Sequence, residues 1–190
     1  MFFRRIGAYI LDCIILFFAI TIVNLFIPVS PETAEISNKL VNLANDYIEE
    51  KISVEEFNKE SANLNYKLSK ETYISTVVSI VIYILYFVVF QAYNNGQTLG
   101  KKVFKIQVVK NDDSMVDINT LLIRSLIPYG ILVNFISLVL ILFVGKGLYN
   151  NISTILSNTH LIVIFITIIM MMFKSRGVHD YLAKTKIEQV

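Results

Sequence analysis

The stretch Phe2–Asp12, FFRRIGAYILD, decides how this chain must fold. It opens an apolar run that reaches Ile27, yet it carries Arg5 at one end and Asp12 inside. Positions 5, 8 and 12 fall on one helical face, because seven residues make almost two turns. A guanidinium, the small Ala8 and a carboxylate therefore share one stripe of a helix otherwise suited to lipid. A charged side chain costs about 2.5–3.5 kcal/mol at a bilayer centre on insertion scales, and less near a helix end. The stripe predicts that Arg5 and Asp12 face protein or water and that other parts of the chain come to meet them.

The rest of the composition agrees with a membrane setting. Of 190 residues, 55% are hydrophobic and 17% charged, whereas a soluble domain carries about 25% charge. The apolar surplus sits in runs long enough to cross a bilayer. A net charge of +2 gives no support to a nucleic-acid partner. The single Cys13 excludes an intramolecular disulfide and a cysteine-built metal site. Twenty-nine isoleucines and fifteen asparagines fit an AT-rich genome and point to a bacterium. The N-terminal run holds Asp12 and ends in PVSPET without a small-x-small cleavage site, so it reads as a retained span, not a signal peptide.

Four spans are expected, at about 6–27, 72–92, 126–144 and 155–173. Pro28 and Pro31 close the first, and Pro128 and Gly130 interrupt the first turns of the third. Gly145–Asn151 reads as a short outer turn. Residues 30–71 differ from the rest, with nine acids and five lysines. There Ile36, Leu40, Leu43 and Tyr47, then Phe57, Leu64 and Leu68, keep amphipathic helical spacing, and Ser53 with Glu56 forms a capping pattern. A helical hairpin outside the membrane is expected, its second arm running into the second span. In the loop 93–117, VFKIQVV alternates as a short strand, Asn111–Ser114 is a turn, and Met115–Val116 is read as the returning strand of a β-hairpin. Asp117 caps a short helix running to Arg124.

Cations set the orientation. The N-terminus, the middle loop and the tail together hold eleven, from Arg4 and Arg5 to Lys186, against six on the acid-rich opposite side. By the positive-inside rule both termini are cytoplasmic. The expected fold is all-α and transmembrane: one membrane domain over residues 1–190, a four-span bundle with a cytoplasmic β-hairpin and an extracellular helical insertion at 30–71.

Chemistry is sparse. Asp12 lies about 9 Å past the inner boundary, and an intramembrane carboxylate is a functional-site hypothesis by default. The competing reading is a structural ion pair with Arg5 or Arg124. Gly96-Gln-Thr98-Leu-Gly100-Lys101 lacks the spacing and the Ser or Thr of a nucleotide loop, and reads as a tight turn with lysines at the lipid headgroups. His179-Asp180 has no nearby nucleophile, and His160 is assigned to the far side of the membrane. No zinc spacing, paired catalytic carboxylates or nucleophile elbow is present, so neither an enzyme nor a metal or organic cofactor is expected.

Four motifs in order carry a resemblance: RRIGAYILD, GQTLGKKVFKIQVV, IRSLIP and GVHDYLAKTKI. Together they resemble the RDD family of bacterial membrane proteins, named for one arginine and two aspartates. By position these are Arg5, Asp12 and Asp180. Residues 30–71 lie outside the resemblance, and Lys184 stands where a small residue such as glycine is expected. The resemblance implies a transporter of an unknown ligand, some members looking like sodium/proton antiporters. On that reading Asp12 is the carrier site of a small ion or solute, in cation/proton exchange. Arg5 sets its charge, and Asp180 holds the basic motifs against Lys101 or Arg124. The alternative is a membrane accessory, scaffold or stress/immunity protein in which these residues are architectural. The expected partners are the lipid bilayer of the bacterial inner membrane, an unidentified small ion or solute and, if the chain transports, a second copy in a homodimer.

Overall fold

A computed structural model describes residues 1–28 and 30–190. The chain is mostly helical, with a small sheet at one end. Helix α1 (Phe2–Asn24) leads to a polar hairpin of α2 (Pro31–Ile48) and α3 (Val54–Glu71). Ser30 and Ser53 cap the two arms by accepting from the Thr33 and Glu56 amides. Tyr47 stacks on Phe57 near the hairpin tip, and Ser30 Oγ donates to Glu71 Oε2 at its base at 2.7 Å. Helix α4 (Tyr73–Ile84) continues through a π-helical turn (Leu85–Phe90) into α5 (Gln91–Tyr93). Then follow α6 (Leu99–Val103), strand β1 (Ile106–Lys110) and α7 (Ile118–Ser125). The chain closes with α8 (Ile131–Phe143), α9 (Lys146–Lys174), α10 (Val178–Leu182) and β2 (Thr185–Gln189).

Three of these helices are long and apolar enough to cross a bilayer: Phe2–Asn24, Tyr73–Tyr93 and Lys146–Lys174. Their outward faces carry large apolar side chains, among them Phe17, Phe18, Ile162, Phe165 and Phe173. The inward stripe of α1 is the one its spacing dictated, since Arg5, Ala8, Asp12 and Leu16 are its buried residues.

Three expectations need correction. The third apolar segment is helical from Ile131, not from Leu126. Proline at 128 disfavours a helical conformation at Ile127, and Gly130 adopts a left-handed φ of +64°, so the helix restarts after the break. At 13 residues α8 is about 20 Å long. Next, Gly145–Asn151 is not an outer turn. Gly145 is the N-cap, and α9 begins at Lys146, where Tyr149 is buried edge-on against Tyr66 of α3. Finally, the hairpin expected after β1 amounts to a turn and a single antiparallel bridge, and the returning strand does not form. Met115 makes an isolated bridge to Val109, while Val116 turns into a core cluster with Val88, Val108 and Leu121. Asp117 then caps α7 by accepting from the Thr120 amide at 2.8 Å. The partner strand comes from the C-terminal tail: β1 pairs antiparallel with β2, with Val108 opposite Ile187 at the centre.

That sheet exposes an internal repeat. Helix α6 and strand β1 run 99–103 and 106–110, and α10 and β2 run 178–182 and 185–189, a constant offset of 79 residues. The central pair, Val108 and Ile187, has the same offset, so a pseudo-two-fold axis passes between them. Hydrogen bonds obey it: Val190 N donates to Lys105 O and Asn111 N to Lys184 O, at 3.1 and 3.0 Å. Lys105 and Lys184 are equivalent, and each has a left-handed φ of +52°. The glycine expected at 184 thus reflects a real backbone demand. Gly96 and Ser175, at the same offset, are also left-handed.

Candidate functional site

At the end of the bundle that holds both termini, α1 receives the two short helices of the repeat. Asp12 takes the first. Its Oδ1 accepts from Tyr86 Oη at 2.6 Å and from the Gly100 amide at 2.7 Å, and its Oδ2 accepts from Thr98 Oγ1 at 2.6 Å. Thr98 is itself the N-cap of α6, accepting from the Lys101 amide. Asp12 and Thr98 are both fully buried. The fit leaves no room at Gly100: a Cβ there would meet Asp12 Oδ1 at 2.7 Å and the Ala8 carbonyl still closer. The π-helical turn places Tyr86 on this face, a device associated with functional positions in helices.

Asp180 takes the second short helix. Its Oδ2 accepts from Arg5 Nη2 at 2.5 Å and from the Gly177 amide at 2.8 Å. Arg124 Nη2 approaches Oδ1 at 2.7 Å as an ion pair. Arg5 also donates to the Ser175 carbonyl at 2.6 Å, and Arg124 to Thr185 Oγ1 at 3.3 Å. Burial acts to raise the Asp180 pKa, but Arg124, His179 and Arg5 outweigh it and hold the carboxyl well below its usual range. Burial, then repulsion from Arg124, pulls the neighbouring His179 down to about 3, so this imidazole is neutral.

Lys101 stands apart. Its Nζ donates to the neutral Gln91 Oε1 at 3.1 Å, and the side chain is only 6% exposed. Burial, then the Arg124 charge, lowers its pKa to about 7. A cavity of about 220 Å³ opens beside it, lined by Arg5, Asp12, Lys101, Arg124 and His179 together with apolar residues of α1 and α9. A second cavity of about 500 Å³, at the hairpin end, is lined by uncharged amides and hydroxyls such as Asn65, Thr76, Asn134, Ser153 and Asn158. His160 sits midway along α9, with Nε2 2.8 Å from the Ile127 carbonyl in the break before α8.

The structure therefore gathers Arg5, Asp12, Lys101, Arg124 and Asp180 at one end; Arg124 meets Asp180, one of the two pairings expected, and the other partners differ. Arg5 pairs with Asp180 and not with Asp12, whose donors are all neutral. Asp180 holds Arg124, while Lys101 goes to Gln91. Gly96 serves the turn by accepting at its carbonyl from Gln91 Nε2 and the Val108 amide. Tyr86, Gln91, Thr167 and His179 were not singled out as site residues. Of these, His179 lies inside the motif GVHDYLAKTKI and is read there only as a pair with Asp180 that lacks a nucleophile, Gln91 lies five residues before GQTLGKKVFKIQVV, and Tyr86 and Thr167 are hydroxyls in apolar runs.

The RDD family model matches residues 1–184. The chain belongs to the RDD family. Comparison with curated proteins and with solved structures finds no match. The two aspartates and the arginine assigned by motif position, Asp12, Asp180 and Arg5, are the residues that fasten the repeat to α1 in this RDD protein.

Proposed function

We propose that this RDD-family membrane protein moves a small solute across a bacterial plasma membrane, and that the cavity beside Lys101 is its binding site. The observation that carries the reading is that cavity, which places buried cations against apolar walls within the membrane-associated bundle. The second, uncharged cavity supports it. It lies toward the hairpin end of α8, and the Tyr129–Gly130 break separates the two. Broken helices between two cavities are the parts that alternating access uses. The cation count places both termini in the cytoplasm. In this reading α8 and the turn before it complete a fourth crossing, and a homodimer encloses the exposed faces of α1 and α9.

The same geometry supports a part for Asp12 other than that of a proton or cation carrier. A carboxylate with three short hydrogen bonds from its own chain is a clamp. This favours an architectural role for the Arg/Asp set, the point on which the scaffold reading rests. Flux measurements in proteoliposomes separate the two. Sodium, potassium, proton and small organic anion gradients would be applied to the wild type and to Ile168→Trp, which fills the cavity. The transport reading expects flux in at least one gradient, lost in the variant. A wild-type protein that keeps its melting temperature yet shows no flux above empty liposomes would leave the scaffold reading in its place.

A further inference from the structure

We infer that the cavity beside Lys101 is a site for an amphipathic anion: a carboxylate or phosphate-ester head on an apolar tail. The inference rests on the cavity being the solute site, yet it concerns a binding event visible without flux.

The charges around the cavity do not balance. Three buried basic groups, Arg5, Lys101 and Arg124, face two buried carboxylates, and Lys101, lowered to about 7, carries its full charge at neutral pH only when a counter-charge joins it. Asp180 is shared by both arginines. Asp12 spends its lone pairs on Tyr86, Thr98 and Gly100. Lys101 is left with a neutral amide oxygen as its hydrogen-bond partner. A buried ammonium without a counter-charge is costly, and an anion in the cavity supplies one. Two more groups point the same way. Thr167 Oγ1 and His179 Nδ1 are buried with no hydrogen-bond partner among the described residues, and both residues line this cavity. Gly177 is what brings them together, since a Cβ there would lie 2.7 Å from Thr167 Cγ2 and 2.8 Å from His179 Cε1. The Thr167 hydroxyl can donate to an anionic oxygen; His179 Nε2 lies 3.5 Å from Asp180 Oδ1, so Nδ1 donates only in the tautomer that turns the proton away from that carboxylate.

The tail follows from the remaining walls. Ile6 of α1 and Ile164, Ile168 and Met171 of α9 line the same space. A fully hydrated inorganic anion gains nothing from such surface, whereas a tail buries its methylenes against it. A metal cation meets three like charges.

The test is binding to the full chain in nanodiscs of zwitterionic lipid, read by native mass spectrometry and thermal shift. The probes are decanoate, decyl phosphate, decyltrimethylammonium and inorganic phosphate. The expected result is saturable binding of the two amphipathic anions, weakened about tenfold or more by Lys101→Met. Thr167→Val keeps shape and fold and is expected to weaken binding less. Ile168→Trp is expected to block the tail while leaving the cations in place. Equal or tighter binding of the ammonium probe, or binding of inorganic phosphate as tight as that of decyl phosphate, overturns the inference. So does anion binding indifferent to both Lys101→Met and Ile168→Trp. An anionic lipid co-purifying in the wild type and absent from Ile168→Trp identifies the bilayer as the source; its absence, with decanoate bound, identifies a soluble amphiphile. Binding without flux overturns transport and keeps the site. Flux of an inorganic ion with no amphiphile bound does the reverse.

Discussion

Truncating Asp12 separates a clamp from a carrier. Asp12→Ala removes the acceptor for Tyr86 Oη, Thr98 Oγ1 and the Gly100 amide together. Thr98 and Gly100 are buried, and Tyr86 is only half-buried and can turn elsewhere. Each stranded donor costs about 1–3 kcal/mol, so with Tyr86 near the low end the total is about 3–7 kcal/mol. For a chain of this size, 1 kcal/mol moves the melting temperature by about 2–4 °C. Asp12→Ala should therefore melt at least about 6 °C below the wild type, the low end of that range. Asp12→Asn keeps one oxygen for Tyr86 and Gly100 and loses the charge that strengthens all three bonds, about 1–2 kcal/mol in all. The assay is thermal unfolding in a mild detergent, with Thr98→Val completing a double-mutant cycle. Coupling of at least about 0.5 kcal/mol between the two sites is expected, because they share a hydrogen bond. A carrier shows the opposite pattern: Asp12→Asn abolishes flux and leaves the melting temperature in place. If Asp12→Ala melts within about 2 °C of the wild type, less than 1 kcal/mol, the clamp argument is wrong.

Three further outcomes follow from the same contacts. Asp180→Asn leaves Arg5 and Arg124 without their shared counter-charge and is expected to cost about 3–5 kcal/mol. The Asp180 carboxyl titrates below its ordinary 3.8 in the folded chain, so its contribution is fully present above about pH 4 and lost as pH falls through the folded value. The wild-type advantage in melting temperature should accordingly be flat from pH 5 to 7 and narrow below about pH 4. Gly100→Ala pushes a methyl onto Asp12 and the Ala8 carbonyl and is expected to cost about 3 kcal/mol by thermal unfolding, whereas Gly147→Ala, inside α9 with nothing within 4 Å, is a control expected to lose no stability. Lys184→Gly relieves a left-handed backbone and should raise stability by about 0.5–1 kcal/mol; a gain no larger than that of Lys102→Gly, a helical position, would remove the strain argument.

How much of this could be read in the chain differs from element to element. The buried stripe of α1 was legible because helical periodicity is local and a charge in an apolar run demands a partner. The caps at Ser53 and Asp117 were legible for the same reason: each uses an amide three residues ahead. The break before α8 was visible as Pro128 and Gly130, but not its extent, since propensity does not say where a helix resumes. The sheet was misread because VFKIQVV names a strand and not its partner. The nearest candidate, Met115–Val116, lost to a tail about 75 residues away that loop length alone disfavours. In the site, motif position brought Arg5, Asp12 and Asp180 together but could not assign who pairs with whom. That is decided by about 3 Å distances between α1 and helices of five residues each. The π-helical turn left no sequence signal, because its residues, LYFVVF, suit any apolar helix.

The repeat explains why one helix bears both acidic and basic anchor points. Two near-identical backbone units, each a short helix, a left-handed lysine and a strand, are joined by a two-fold sheet. A symmetric pair cannot pack identically on a single α1, which has no symmetry of its own. The two units therefore meet it with different chemistry. The first offers a capped helix start, Thr98 and the Gly100 amide, to a carboxylate on α1. The second offers a carboxylate, Asp180, to an arginine on α1. Lys101 and Asp180 occupy equivalent positions in the two units, 79 residues apart, and carry opposite charges. Asp180 is neutralised by α1 and α7, while Lys101 lines the cavity and makes no ion pair among the described residues. The uncompensated charge of the cavity is thus the residue of a symmetric frame attached asymmetrically. Exchanging the pair as Lys101→Asp with Asp180→Lys should not restore the fold, because Arg5 and Arg124 recognise one unit only.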